Sequence, residues 1–257
     1  MKILLVNEEG CFAPGIIALA KALSLRHRVV IVGPINPLSC AGHTFTNGNA
    51  PIRVRQYFTQ LSKVKIFAVT GTPCDCVTLA LDKLLRSKPD LIISGIDSSN
   101  NRGETILSSG VVSAALEGTI QGIKSIAVSA NLTLAKGEAE FRKVASAFVK
   151  LLPGLVKLMK TGVTLNVNFP TEFSSRRVKY THVTDGLVDN KYNCEVNPFG
   201  LTFYWLKTPR MGFGLDVLDQ KGDLYWLKRS FITVSPLKLD LTCDKSIQVL
   251  RKASLKL

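Results

Sequence analysis

The chain has 257 residues, 46% of them hydrophobic, which is enough for a substantial core, and six cysteines in no paired spacing. Lys and Arg outnumber Asp and Glu by 33 to 19, a formal charge of +14, yet no basic block is longer than Arg176-Arg177 or Lys228-Arg229. This composition argues against a zinc or disulfide framework and disfavours a nucleic-acid stripe. No stretch reads as a secretory signal or a membrane span, so the expected compartment is the cytoplasm, with no membrane partner.

Ile3 to Val6 is a four-residue apolar run, the pattern of a strand buried on both faces, and it stops at Asn7, Glu8, Glu9 and Gly10. Pro14 then opens a helical pattern through Ile16, Leu19, Ala20 and Leu23. Glu8 and Glu9 are therefore expected in a tight turn at the carboxyl end of a central strand, where open α/β sheets bind ligands. Arg28 to Gly33 is a second strand, and residues 35 to 51 form a long polar loop containing Ser39 and His43. Short strands follow at 52–55 and 65–69, then helical spacing over 77–85, with Thr72 and Asp75 as its caps.

Leu91 to Ile93 reads as a buried strand running into Ser94-Gly-Ile-Asp97 and a polar loop with Asn101. Ser108-Ser109-Gly110 precedes a small-residue helix over 111–118, followed by a strand at 125–129, a helix at 138–160 and a strand at 164–169. The alternation predicts an α/β fold, a Rossmann-like, mostly parallel sheet in a catalytic domain over 1–174. Residues 175–257 read as a β-hairpin arm with strands at 178–184, 201–207, 224–227 and 231–234 and no helix between them, then a helix near 244–253. Hairpins that carry Phe203, Tyr204, Trp205, Tyr225 and Trp226 need cover, which points to oligomerisation. His27 and His182 read as structural, and the aromatic pairs as packing.

Glu8, Glu9, Ser39 and Asp97 supply hard oxygen ligands at three strand ends, a set suited to Mg²⁺, Mn²⁺ or Ca²⁺ rather than zinc or copper. Such an ion would polarise a phosphoryl oxygen and acidify water. Ser109-Gly110 at a helix start offers backbone N–H groups to a phosphate. Neither a G-x-x-x-x-G-K-[ST] nor a G-x-G-x-x-G after the first strand is present, which argues against P-loop and dinucleotide enzymes.

Asn7-Glu-Glu-Gly10 with Ala13-Pro-Gly15, Ser39-x-x-Gly42-His43-x-Phe45-Thr46, Gly71-Thr-Pro-Cys-Asp-Cys-Val77, Ser94-Gly-Ile-Asp97, Ser109-Gly110-Val-Val with Glu117-Gly118, and Ser235-Pro-Leu237 occur in this order. The combination resembles the SurE family from residue 2 to about 242. The resemblance implies a metal-dependent phosphatase acting on nucleoside 5'- and 3'-monophosphates, with a hairpin arm exchanged in a homodimer or homotetramer. It also implies that Glu8 and Glu9 are catalytic and, with Ser39 and Asp97, ligate the metal, and that Asn7, His43, Asn101, Ser109 and Gly110 bind phosphate or substrate.

The chain departs from the family pattern at several of these positions. Glu8 and Glu9 stand where aspartates are usual, Asp97 for asparagine, Val111 for threonine, Ser99 for glycine and Ser108 for tyrosine. Each glutamate moves its carboxylate outward by roughly 1.5 Å, far beyond the ~0.2 Å tolerance of a metal–oxygen distance. Three carboxylates raise cation affinity while repelling a phosphate dianion. Two rival expectations follow: a protein of this fold that binds nucleotide or phosphate with little turnover, and a basic nucleic-acid binder.

Overall fold

Residues 1–48, 50–59, 64–132, 137–174, 176–185, 188–189, 191–207, 210–211 and 219–253 are described in a computed structural model of the chain. Strands β1 (Lys2–Val6), β2 (Arg28–Pro34), β4 (Val64–Val69), β5 (Leu91–Asp97), β6 (Ser125–Ala130) and β7 (Val163–Phe169) run parallel in one sheet. Three further strands complete it: β3 (Val54–Tyr57), β8 (Val178–Tyr180) and β13 (Ile232–Lys238). The order is β3-β4-β2-β1-β5-β6-β7-β13-β8, nine strands in all. β3 is antiparallel to β4, and β13 is antiparallel to β7. Ile3 to Val6 and the whole of β5 are buried, as their unbroken apolar character requires of strands covered on both faces.

One layer is formed by α1 (Pro14–Ser24) and α4 (Gly137–Leu158), which pack on each other and on the sheet through Ile16, Leu19, Leu23, Phe141, Val144 and Phe148. The opposite layer is α2 (Pro73–Leu79) and α3 (Gly110–Ile120), over Leu4, Val6, Val32 and Ile92. Gly15 is required at the start of α1. A Cβ there would lie 2.0 Å from the carbonyl oxygen of Ile96 at the end of β5. The close approach of α1 to β5 is thus written into one residue.

From β1 the sheet extends through β2 and β4 to the edge strand β3 on one side, and after β4 the chain crosses back to β5, β6 and β7 on the other. The direction of winding reverses between β1 and β5. The crevice beyond the carboxyl ends of these two strands is where a ligand site forms in such sheets, and Glu8, Glu9 and Asp97 lie there.

Beyond β7 the chain adds β9 (Val188–Asp189), β10 (Tyr192–Val196), β11 (Thr202–Leu206) and β12 (Arg210–Met211). β10 and β11 form an antiparallel hairpin. The last helices are α5 (Asp223–Leu227) and α6 (Asp244–Lys252). The strand expected at 224–227 is therefore a short helix, which also corrects the expectation of no helix in this region. The buried carboxylate of Asp223 accepts the Leu224 N–H at 2.7 Å and so satisfies a first-turn donor of α5.

The helix expected over 77–85 begins earlier, at Pro73. Thr72 and Asp75 form a reciprocal capping box there, and the last turn, Ala80–Leu84, widens into a π-helical turn. The strand expected at 52–55 is shifted to 54–57, and the one at 178–184 ends at Tyr180. The strand at 231–234 continues to Lys238 through Pro236. β8 ends opposite Val234, so the proline lies past the last bond of that pair.

Candidate active site

Asn7 fixes the turn after β1. It is fully buried, its Nδ2 donates to the Ile96 carbonyl at 3.2 Å, and its Oδ1 accepts from the Glu9 N–H at 3.2 Å. Its side chain ties the ends of β1 and β5 together and is spent in doing so. The two glutamates then diverge. Glu8 is buried and its Oε2 accepts from the Gly110 N–H at 3.1 Å, at the first turn of α3. Glu9 is half-buried and its Oε1 accepts from the Ser98 N–H at 3.1 Å and from the Ser98 hydroxyl.

The N-terminus of α3, expected to receive a phosphate, thus receives the carboxylate of Glu8. The partial positive charge of a helix start suits any anion, and here it has an internal one. A Cβ on Gly110 would come within 3.0 Å of Glu8 Oε2 and 3.1 Å of Glu8 Cβ, so glycine is what lets the carboxylate settle. Ser109 is the N-cap, its hydroxyl accepting from the Val112 N–H at 3.1 Å.

Ser39 is exposed on the loop after β2. Its neighbours hold that loop on Glu8: the Leu38 N–H donates to the Glu8 carbonyl at 2.9 Å, and the Cys40 N–H supports the Glu8 carboxylate. The loop is latched further on. Thr46 donates through its N–H and its hydroxyl to Asp75 Oδ2, at 3.0 and 2.6 Å, and the Thr72 hydroxyl donates to the Thr44 carbonyl at 2.6 Å. His43 Nε2 lies 3.0 Å from Glu117 Oε2, a buried carboxylate on α3 that Gln121 also contacts.

Asp97 is buried at the end of β5. It accepts from Asn101 Nδ2 at 2.8 Å and from the N–H of Ser99 at 3.2 Å. Burial pushes its carboxyl up to about 7, with the charges of Glu8 and Glu9 adding to the rise against the hydrogen bonds from Ser99 and Asn101. Glu8 is also raised, first by burial and last by Glu9, with backbone N–H groups of Gly110, Val111 and Cys40 opposing.

These three carboxylates repel one another, and among the described residues none of them is ion-paired with a Lys or Arg. A donor set of this charge and burial fits a hard divalent cation. Their distances are not those of a closed cage: among the described residues no three His, Cys, Asp or Glu side chains group tightly enough to hold an ion as they stand.

Glu117, quoted in the Glu117-Gly118 motif but given no role from the sequence, holds His43. Other partners carry no motif that the sequence reading used: Ser98 holds Glu9, and Asp223 accepts from the Gly103 N–H at 3.1 Å. Asn166 and Asn168 hold the Asn101 carbonyl. The asparagines were detectable: two buried amides two residues apart in an otherwise apolar strand are out of place unless paired. A cavity of about 570 Å³ lies at the opposite end of the sheet among Lys2, Arg28, Lys65 and Leu84, and none of the expected site residues lines it.

A model of the survival protein SurE family matches residues 3–190. A 5'-nucleotidase SurE of Clostridium beijerinckii is 36% identical over 246 residues, spanning 94% of this chain and 94% of that protein. Another from Geotalea daltonii is 38% identical over 261 residues, spanning 98% of each. The crystal structure of a SurE protein from Aquifex aeolicus superposes with a TM-score of 0.76 at 34% identity, covering 98% of this chain and 100% of that one.

Proposed function

Because the chain belongs to the SurE family, we propose that it is a phosphoric monoester hydrolase, a 5'-nucleotidase that releases phosphate from nucleoside 5'-monophosphates and, through the same site, from 3'-monophosphates. The observation that carries this reading is the cluster of Glu8, Glu9 and Asp97 at the crossover of the sheet, with Asp97 pushed up to about 7. Glu8, Glu9, Ser39 and Asp97 would hold Mg²⁺ or Mn²⁺. The ion would neutralise phosphoryl charge and lower the pKa of water in contact with it.

The chain's own groups do the rest. Once Glu8 turns away from α3, the N–H groups of Gly110 and Val111 are free to orient the phosphate, and Asn101 adds its amide. Glu117 accepting from Nε2–H leaves the Nδ1 of His43 as a proton acceptor, which becomes a donor on protonation and so suits it to follow charge on the phosphate or the leaving oxygen. The six free thiols fit a reducing compartment such as the cytoplasm. Among the described residues no helix is long and apolar enough to cross a membrane.

The exposed hairpin faces of Tyr192, Phe203, Tyr204 and Trp205 support assembly into a homodimer or homotetramer. The seating of Glu8 on Gly110 favours a second reading, a nucleotide-binding protein with little turnover. Phosphate release from a panel of nucleoside monophosphates, with Mg²⁺, Mn²⁺ or EDTA, decides between them. Metal-dependent release that Asp97→Ala abolishes establishes the nucleotidase, whereas binding without release under every metal leaves the second reading.

A further inference from the structure

Asn166 and Asn168 lie on β7, in the interior of the sheet between β6 and β13, and both are fully buried. Two residues apart on a strand, they share one face. On that face three of their four cross-strand neighbours are polar, the fourth being Ala127 beside Asn166. Asn168 is opposite Ser129 on β6 and Thr233 on β13, and Asn166 is opposite Ser235.

Each asparagine donates its Nδ2 to the same acceptor, the backbone carbonyl of Asn101, at 2.7 Å from Asn166 and 2.8 Å from Asn168. Because a carbonyl cannot donate, this partner fixes which amide atom is nitrogen. Both lone pairs of the Asn101 oxygen are filled. The Asn101 side chain in turn donates to Asp97 Oδ2 at 2.8 Å and to Ser129 Oγ at 2.7 Å. A continuous path of hydrogen bonds therefore runs from the middle of β7 to the carboxylate at the end of β5.

The other halves of the two amides, Asn166 Oδ1 and Asn168 Oδ1, are buried without a partner among the described residues. Leaving such atoms unpaired destabilises a fold, and apolar side chains of the same shape would serve the sheet better. Sheet stability is therefore a poor account of these two residues.

We propose that Asn166 and Asn168 are positioning residues of the active site. Acting in pairs on one carbonyl, they set the backbone of the 98–107 loop so that the Asn101 amide meets Asp97 and the phosphate. This rests on the nucleotidase reading for its substrate, though not for the geometry.

Asn166→Leu and Asn168→Leu, singly and together, keep the shape and remove the donors. Tm, kcat and KM would be measured, together with affinity for inorganic phosphate and for Mn²⁺ by calorimetry. The expected result is a split: kcat/KM and phosphate affinity fall at least tenfold in the double variant, while Tm is unchanged or rises. If the double variant does not fold, the two single leucine variants carry the test, each expected to show the same split at smaller size.

Activity and phosphate affinity within twofold of the parent, or losses that simply follow a fall in Tm, would overturn the proposal. If the parent protein proves to have no turnover, the nucleotidase reading fails by itself. The phosphate and Mn²⁺ affinities of the variants still decide whether the asparagines position the site.

Discussion

The carboxylate of Glu8 is docked on the first N–H of α3, with Oε2 3.1 Å from the nitrogen of Gly110. An aspartate at this position would fall short by a methylene. On the proposed reading, the longer side chain would let one residue serve two sites: a cation site when it faces Glu9 and Asp97, and the helix N-terminus when it does not. A phosphate that approaches α3 must displace it.

Glu8→Asp should therefore free the helix N-terminus. Inorganic phosphate is expected to inhibit, or to bind, several-fold more tightly than in the parent, since an anion at a helix start is worth on the order of 1 kcal/mol. Competitive inhibition constants for phosphate under saturating Mn²⁺ check this. Gly110→Ala, which crowds Glu8, is expected to weaken the docking in the same direction.

Asp97 makes the metal-free protein pH-sensitive. Its folded-state pKa, about 7, lies above its ordinary value of 3.8, so the folded state holds the proton more tightly than the unfolded chain does. Below pH ~4 both states are protonated and the residue costs the fold nothing. As pH rises from ~4 to ~7 the stability falls, and it levels off once the folded carboxyl has ionised. In EDTA, Asp97→Asn should therefore be more stable than the parent at pH 8, by roughly 1–3 kcal/mol, with the difference vanishing near pH 4. Thermal melts at the two pH values measure it, and Mn²⁺ should narrow the gap at pH 8.

Glu117 lies behind His43, its Oε2 3.0 Å from Nε2. Glu117→Gln replaces an anion with an amide at the same place. It should lower kcat roughly tenfold, because the imidazole loses the carboxylate that holds its ring and fixes its tautomer. Mn²⁺ affinity should stay within about twofold of the parent. An unchanged kcat would remove the pair from the chemistry.

The β10–β11 hairpin exposes Tyr192, Val196, Phe203, Tyr204 and Trp205 on both faces. Replacing Tyr204 and Trp205 with serine should shift the protein from dimer or larger to monomer by light scattering. The main sheet does not contain this hairpin, so near-native far-UV circular dichroism should persist.

Much of the sheet was legible in the sequence because parallel strands buried on both faces announce themselves as short apolar runs: Ile3–Val6, Leu91–Ile93 and Ser125–Ser129 all fall in strands. The grouping of Glu8, Glu9 and Asp97 followed from placing strand ends at one edge. What could not be read was which way each side chain turns. Glu8 and Glu9 are adjacent in sequence yet hydrogen-bond to Gly110 and Ser98, on different elements. Residues 224–227 misled for a different reason: Leu-Tyr-Trp-Leu has the composition of a strand, and the buried Asp223 that begins the helix is held by Thr184 and Gly103, which are distant in sequence.

The return of the chain through β13 has a consequence for anyone re-engineering this protein. β9 and β12 pair through Val188↔Met211 and Asp189↔Arg210, so the segment they bracket leaves and returns at neighbouring points, as an insertion does. A cut that removes residues 232–238 would instead strip the partner strand from β7 and unroof Asn166 and Asn168.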